Sequence, residues 1–385
     1  MTKKWVNIAD VLFFQEGPGV RNTQYTTSGV KLLNVANLVD GKVDLSKSDR
    51  YISEEEAYGK YRHFLCDDGD FVIASSGIKV EYIDKKMGFV DASMLPLCMN
   101  TSTIRFKVLD ENQLRIRYFM YYLKSKHFKE QLTKQITGSA QLNYGPSHLK
   151  KMIMPLIDIT VQDEIISCMD KLQSIIETRQ RELIELDRLM KARFVELFGD
   201  PRSNPFGFEK KRLKDTCKVI TGNTPSRAIA EYYGDYIEWI KTDNIVSGIL
   251  NPTQATESLS EKGMNVGRTV EKDSILMACI AGSIASIGRV CITDRTVAFN
   301  QQINAVVPEQ YNILFLYVLF QMSKDYLVED INMALKGILS KSKLEEKEFI
   351  IPPMDLQEQF SDFVKQVNKS KFDTMTFAPI YAIIN

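Results

Sequence analysis

Positions 165, 169, 172, 176, 179, 183, 186, 190, 193 and 197 advance in alternating steps of four and three. Eight of them are apolar: Ile165, Met169, Leu172, Ile176, Leu183, Leu186, Met190 and Leu197. Arg179 and Arg193 interrupt the line. That spacing puts one apolar seam on one face of a helix and predicts coiled-coil packing. From Val161 to Phe198 the chain contains no Gly or Pro, and "FGDP" then supplies a left-handed cap at Gly199 and a stop at Pro201. A helix of roughly 37 residues would span about 55 Å, too long a seam to stand without a partner. Leu356, Phe360, Phe363 and Val367 repeat the spacing over a shorter stretch and predict that partner. Beyond "NKSKFD" the pattern gives way to "TMTFAPIYAIIN", so the second helix is expected to stop near Phe372.

On each side of the long helix the chain reads as short strands. "FVIAS", "STIRFKV", "SILMACI" and "VAFNQQINAVV" are β-type runs set off by Gly, Asn and Asp turns. A helical stretch follows in each half, "LRIRYFMYYLKSKHFKEQLTKQ" and "ILFLYVLFQMSKDYLVEDINMAL". After it come a polar loop, a Pro-bearing strand ("MIMPLID", "EFIIPPMD") and a Gln-led helix.

The shared grammar is an internal repeat. "NLVDG" from Asn37 is echoed 207 positions later by "NIVSG" from Asn244. Asp10 and Gly17 match Asp215 and Gly222, Asn100 matches Asn300, and Leu149 and Gln162 match Leu344 and Gln357. The offset drifts one way, as small loop deletions would make it, and the order never breaks. The fold class expected is α+β: two copies of one α/β domain, joined by long helices that form an antiparallel coiled coil. The boundaries expected are 1–157 and 200–353 for the domains, 158–199 for the spacer helix, 354–372 for the short distal helix and 373–385 for a divergent tail. Asn37 and Asn244 are expected to cap a turn, with the Gly serving its geometry.

Length and composition fit this plan. At 385 residues the chain exceeds one ordinary core, and 44% hydrophobic with 25% charged residues suits a soluble protein. No apolar run approaches the ~18 residues of a membrane span, and the first residues carry no secretion signal. The six cysteines are scattered without a Cys-x-x-Cys pair, which predicts reduced thiols in a cytoplasm and no zinc site. Net charge is zero, but residues 1–157 carry 22 Lys+Arg against 17 Asp+Glu. A nucleic-acid role would therefore not rest on strong charge of its own.

Catalytic patterns are missing. There is no Gly-x4-Gly-Lys-[Ser/Thr], Gly-x-Gly-x-x-Gly or Gly-x-Ser-x-Gly. "GSIASIGR" has the wrong spacing and reads as a strand–turn–strand corner. His63, His127 and His148 are far apart, and no [Asn/Asp]-Pro-Pro-[Tyr/Phe] tetrapeptide of amino-methyltransferases occurs.

The second half carries "ITGNTPSRAIAEYYGDYIEWIKTDNIVSG", which resembles the opening of a target-recognition domain in the specificity subunits of type I restriction–modification systems. "MKARFVELFGDPRSNPFGF" is similar to the end of that family's central helix, and "IIPPMDLQEQFSDFVKQVNKSKF" to the start of its distal helix. The resemblance covers essentially the full length. It implies two target-recognition domains related by a pseudo-two-fold axis, each reading half of a split double-stranded DNA site from the major groove. The two helices between them would act as a ruler. The chain would be non-catalytic and bind no cofactor or metal. Its partners would be two methyltransferase subunits, which use S-adenosylmethionine to methylate adenine, and two restriction subunits driven by ATP and Mg.

Direct base readout calls for Arg, Lys, Asn, Gln and Ser on loops that differ between the copies. In the first domain these are Arg21, Asn22, Ser75, Ser76, Lys79, Lys134, Ser139, Gln141 and Asn143. In the second they are Asn223, Thr224, Ser226, Arg227, Ser283, Arg289, Gln301, Gln302, Lys336 and Lys341. The family's distal helix is usually about as long as its central one, and here it is shorter. The far part of the seam, with Leu172 and Ile176, is thus expected to be exposed and covered by a methyltransferase subunit. Two other readings compete: a non-catalytic two-domain protein-binding scaffold, and a fragment of a fused restriction–methyltransferase enzyme.

Overall fold

A computed structural model describes residues 4–136, 143–331 and 337–376. One compact unit ends at Glu177 and the other begins at Thr178. The division falls inside one continuous helix.

In the first unit β1 (Lys4–Asn7) and β2 (Leu12–Glu16) lead to β3 (Val30–Leu33), β4 (Tyr51–Ile52), β5 (Phe71–Ala74), β6 (Met87–Phe89), β7 (Leu97–Met99) and β8 (Thr103–Val108). Helices α1 (Ile116–Lys124) and α2 (Lys126–Gln135), strand β9 (Ile153–Leu156) and the long helix α3 (Ile159–Phe198) follow. The central sheet is antiparallel in the order β2-β8-β5-β6. A smaller sheet sets β3 antiparallel to β4 and parallel to β7. β1 pairs with β9 to close the ends of the unit. The helical stretch after β8 is two helices, because Ser125 leaves helical geometry (φ −67, ψ 151) and its hydroxyl accepts from Phe128 N to start the second.

The second unit repeats the scheme. It contains β10 (Lys210–Arg212), β11 (Cys217–Thr221), β12 (Ile237–Ile240), β13 (Ser258–Leu259), β14 (Ile275–Ala278), β15 (Val290–Ile292), β16 (Val297–Phe299) and β17 (Ile303–Pro308). Then come α4 (Ile313–Met322), β18 (Glu348–Ile350) and α5 (Met354–Thr376). Its antiparallel sheet runs β11-β17-β14-β15, and β12 lies parallel to β16 and antiparallel to β13. β10 and β18 pair as β1 and β9 do. "VAFNQQINAVV" is not one strand: it breaks at Asn300–Gln302 into β16 and β17, as the first unit breaks at Asn100–Ser102.

The shared residues do the same work in both units. Gln162 accepts from Arg115 N and donates to Ile157 O, and Gln357 accepts from Asn312 N and donates to Pro352 O. Each buried glutamine thus ties the start of its helix to the helix that follows the central sheet. Asn37 Oδ1 accepts from Asn34 N, and Asn244 Oδ1 accepts from Lys241 N. Their amides donate to Asp44 O and Gln254 O. Both asparagines are buried and hold a loop closed, and Gly41 and Gly248 adopt positive φ (79 and 82) in the turns beyond.

All ten seam positions of α3 are buried or half-buried, including Leu172 and Ile176, whose exposure was expected. Ile175 and Ile184, off the seam, are 48% and 52% exposed. Near the end of α3 the deepest positions shift from the seam to Phe194 and Phe198, both fully buried. Their rings enter the core of the second unit: Phe194 stacks on Phe315 at 5.7 Å, and Phe198 meets Phe360 edge-on at 5.5 Å. Helix α5 runs antiparallel to this part of α3, since Phe198 contacts Phe360 while Asp187 contacts Lys371. It continues past Phe372 to Thr376, because Lys371 and Thr374, both buried, prolong the buried face with polar residues.

Candidate nucleic-acid interface

In each unit the central sheet ends in a corner built by a glycine. Gly17 follows β2, and a Cβ there would lie 2.1 Å from Asn100 O. Gly222 follows β11, and a Cβ there would lie 2.2 Å from Asn300 O. Only a residue without a side chain lets the chain cross the turn between β7 and β8, or between β16 and β17, so closely. The end of β5 or β14 and a returning loop complete the corner. Tyr144 N donates to Ser75 O, and Leu339 N donates to Cys279 O.

The first corner holds Ser76, whose hydroxyl donates to Ser102 at 2.6 Å, and Asn143, which bridges to Ser76. Ser75 is buried and donates to Glu16 at 3.2 Å, so it braces the corner from within. Arg21 and Asn22 lie on a turn after Gly17, where Arg21 N donates to Gln24 Oε1. Lys79 lines a shallow hollow with Lys85, Lys86 and Tyr82. Lys134 lies apart from the corner, in the last turn of α2. Ser139, Gln141 and Lys336 fall outside the described residues.

The second corner brings more of the expected residues together. Thr224 donates to Gln301, Gln302 accepts from Asn300 Nδ2 at 3.2 Å, and Asn223 Nδ2 donates to Val266 O. Ser283 and Ser286 hydroxyls are 3.1 Å apart, and Arg289 donates to Ser286 O and Thr242 O. "GSIASIGR" is thus a corner, with Gly288 at φ 77. Ser226 accepts from Ile229 N in a turn. Lys341 begins a short helix and pairs with Glu345 at 3.5 Å.

The sequence reading missed the group around Arg227. Its guanidinium lies 4.4 Å from the Tyr233 ring and 5.2 Å from Trp239, and donates to Glu257 at 2.6 Å. Lys241 shares the same carboxylate and sits 5.1 Å from Trp239. Lys241 first, then Arg227, hold the Glu257 carboxyl below its ordinary value. Tyr233 and Trp239 also hold the loop from Asn223 to Pro225, through Tyr233 OH to Pro225 O and Trp239 Nε1 to Asn223 O. Aligning the copies strand by strand sets Glu257 opposite Arg50 and so marks the position, but not the residues that converge on it.

Among the described residues no cluster of three or more His, Cys, Asp or Glu could hold a metal, and no helix is long and apolar enough to cross a membrane.

Two copies of one mixed α/β domain, each offering a polar loop corner at the end of its sheet, make a duplicated recognition module. The family model for the type I restriction modification DNA specificity domain matches this chain twice, at residues 18–188 and 205–379. The chain belongs to the type I restriction–modification DNA specificity family. It is 33% identical over 146 residues to the Haemophilus influenzae type I restriction enzyme HindI specificity subunit, across 36% of this chain and 31% of that one. With the Methanocaldococcus jannaschii MjaIX specificity subunit it shares 24% over 302 residues, across 72% and 68%. The crystal structure of the type I S subunit from M. genitalium superposes with a TM-score of 0.57 at 14% identity, covering 100% of this chain and 94% of that one. The chain thus spans about a third of the length of the first of these curated relatives.

Proposed function

We propose that this chain is the sequence-specificity subunit of a type I complex and that each unit reads one half of a split double-stranded DNA target. The observation that carries the reading is the repeated corner. One backbone frame, fixed by Gly17 with Asn100 and Gly222 with Asn300, presents different polar side chains in the two copies. A shared frame with divergent loops suits two half-sites of different sequence. To Thr224, Gln301, Gln302 and Arg227 in the second unit, and to Arg21, Asn22, Ser76 and Asn143 in the first, we assign the contacts to base edges. The helix α3, which carries the chain from one unit into the next, sets the number of base pairs between the half-sites. Adenine methylation with S-adenosylmethionine, and ATP- and Mg-dependent cleavage, belong to partner modification and restriction subunits in the cytoplasm, and this chain holds no cofactor. Near-neutral charge fits a subunit whose partners supply much of the phosphate contact.

The test is the methylome of a host lacking other adenine methyltransferases, expressing this chain with its modification subunits. A split adenine motif that vanishes when this chain is omitted supports the reading. An unchanged methylome, with the three proteins co-purifying, would leave a protein-binding scaffold instead.

A further inference from the structure

The two smaller sheets can be aligned by their hydrogen bonds. Leu32 N donates to Arg50 O at 2.8 Å, and Trp239 N donates to Glu257 O at 3.1 Å. Arg50 and Glu257 are therefore the same backbone position with opposite charge. In the first unit the Arg50 guanidinium lies 5.2 Å from the Tyr25 ring, and Nη1 is 3.4 Å from its hydroxyl. In the second unit Glu257 instead gathers two cations, Arg227 and Lys241, onto Tyr233 and Trp239. A position that reverses its charge inside a preserved hydrogen-bond frame is where the copies have diverged in what they meet.

The geometry of this group is that of a fixed fork. The Arg227 guanidinium lies 4.4 Å from the Tyr233 ring and 5.2 Å from Trp239, and its Nη2 is bonded to Glu257, which leaves its other donors for a ligand. The side chain is 57% exposed, and it lies on the loop that begins at the Gly222 corner. Arginine presents paired donors in a plane, which matches the O6 and N7 acceptors of guanine in the major groove. A clamp of this kind fixes the direction of the remaining donors, as reading one base edge requires; a phosphate can take the same fork, and the two differ in whether loss of Arg227 relaxes one base pair or weakens binding to every sequence. The carboxylate also offsets the charge of Arg227 and Lys241, which lowers attraction to backbone phosphate of any sequence.

We propose that Arg227 reads a guanine in the half-site of the second unit, and that Glu257 is the positioning residue that fixes its fork against Tyr233 and Trp239. This rests on the reading of the chain as a DNA-specificity subunit and names the base class one residue recognises. Lys241 and Trp239 complete the clamp from the side of β12.

The experiment compares the methylation motif set by the full chain, assembled with its modification subunits, for wild type, Arg227→Ala, Arg227→Lys and Glu257→Gln. The expected wild-type motif contains a guanine in one half. Arg227→Ala and Arg227→Lys relax that single base pair by on the order of tenfold to hundredfold, while every position of the other half stays strict. Glu257→Gln relaxes the same base pair and no other, a base-specific effect that a purely structural role would not give. Retention of the other half-motif shows that the variants are folded. Uniform weakening at all positions would make Arg227 a phosphate contact and overturn the inference, and so would an unchanged motif in all three variants. A wild-type complex that sets no motif overturns the specificity reading itself, and this inference with it.

Discussion

Lys371, buried near the end of α5, donates to the carboxylate of Asp187 on α3 across 184 positions of sequence. The pair closes the helix–helix contact of the second unit at the end away from its aromatic core. The two partners differ in environment: the Lys371 side chain is 7% exposed and Asp187 40%. Losing the acid therefore strands a cation that water barely reaches, while losing the lysine leaves a half-hydrated carboxylate. We expect Asp187→Ala to lower the stability of the second unit by about 2 kcal/mol, and Lys371→Met, which fills the same space without charge, to change it by less than about 1 kcal/mol. Denaturant midpoints of the two variants, followed by Trp239 fluorescence, check the asymmetry. Equal losses would show that the pair stabilises through attraction alone.

The aromatic end of the same contact makes a different demand. Phe194 and Phe198 are fully buried against Phe315 and Phe360. Phe→Ala at either should cost about 3–5 kcal/mol. Ile184→Ala, at a residue 52% exposed on the same helix, should stay within about 0.5 kcal/mol. A thermal melt of the three variants separates the cases, and a large loss for Ile184→Ala would mean that α3 is packed on another face.

These two phenylalanines mark where the sequence could be read and where it could not. The four-and-three spacing located α3 and its buried face, because period is a property of the helix alone. It placed the last turns on Arg193 and Leu197, one residue from the true anchors, since the core of the second unit claims the aromatic side chains there and the seam yields. The distal helix is expected to stop near Phe372 because "TMTFAPIYAIIN" breaks the apolar spacing, yet Lys371 and Thr374 are both buried, and a paired lysine continues a face that hydropathy cannot follow. The repeat was legible from residues whose geometric role is the same in both copies, namely Gly17 and Gly222, Asn37 and Asn244, Gln162 and Gln357. The group around Glu257 was not legible, for it exists only once Arg227 and Lys241, 14 positions apart, converge on one carboxylate.

The cysteines give a chemical test of the packing. Burial pushes the thiols of Cys66, Cys98, Cys217, Cys279 and Cys291 up to about 12, so at pH 8 they are neutral and shielded. Cys168, on the outer face of α3, is exposed. Because the thiolate is the nucleophile, a maleimide should label the native chain once, at Cys168, and all six sites after denaturation. Mass spectrometry of the labelled peptides reads the result. Native labelling at Cys98 or Cys291 would mean that the sheets open on the labelling timescale.

The glycine corner should link stability to sequence choice. A Cβ at Gly222 would meet Asn300 O at 2.2 Å and Phe299 O at 2.5 Å, both backbone atoms, so the strand ends must separate to admit it. We expect Gly222→Ala to cost about 1–3 kcal/mol. The displaced loop carries Thr224 and Arg227, so the half-motif read by the second unit should degrade while the other is kept. Gly17→Ala, whose Cβ would lie 2.1 Å from Asn100 O, should do the reverse. Gly282→Ala is the control: no atom lies within 4 Å of its Cβ, and both stability and motif should hold. Methylation motifs of the three variants, set beside their melting curves, decide it. If either corner variant degraded both half-motifs equally, the two units would not read DNA independently.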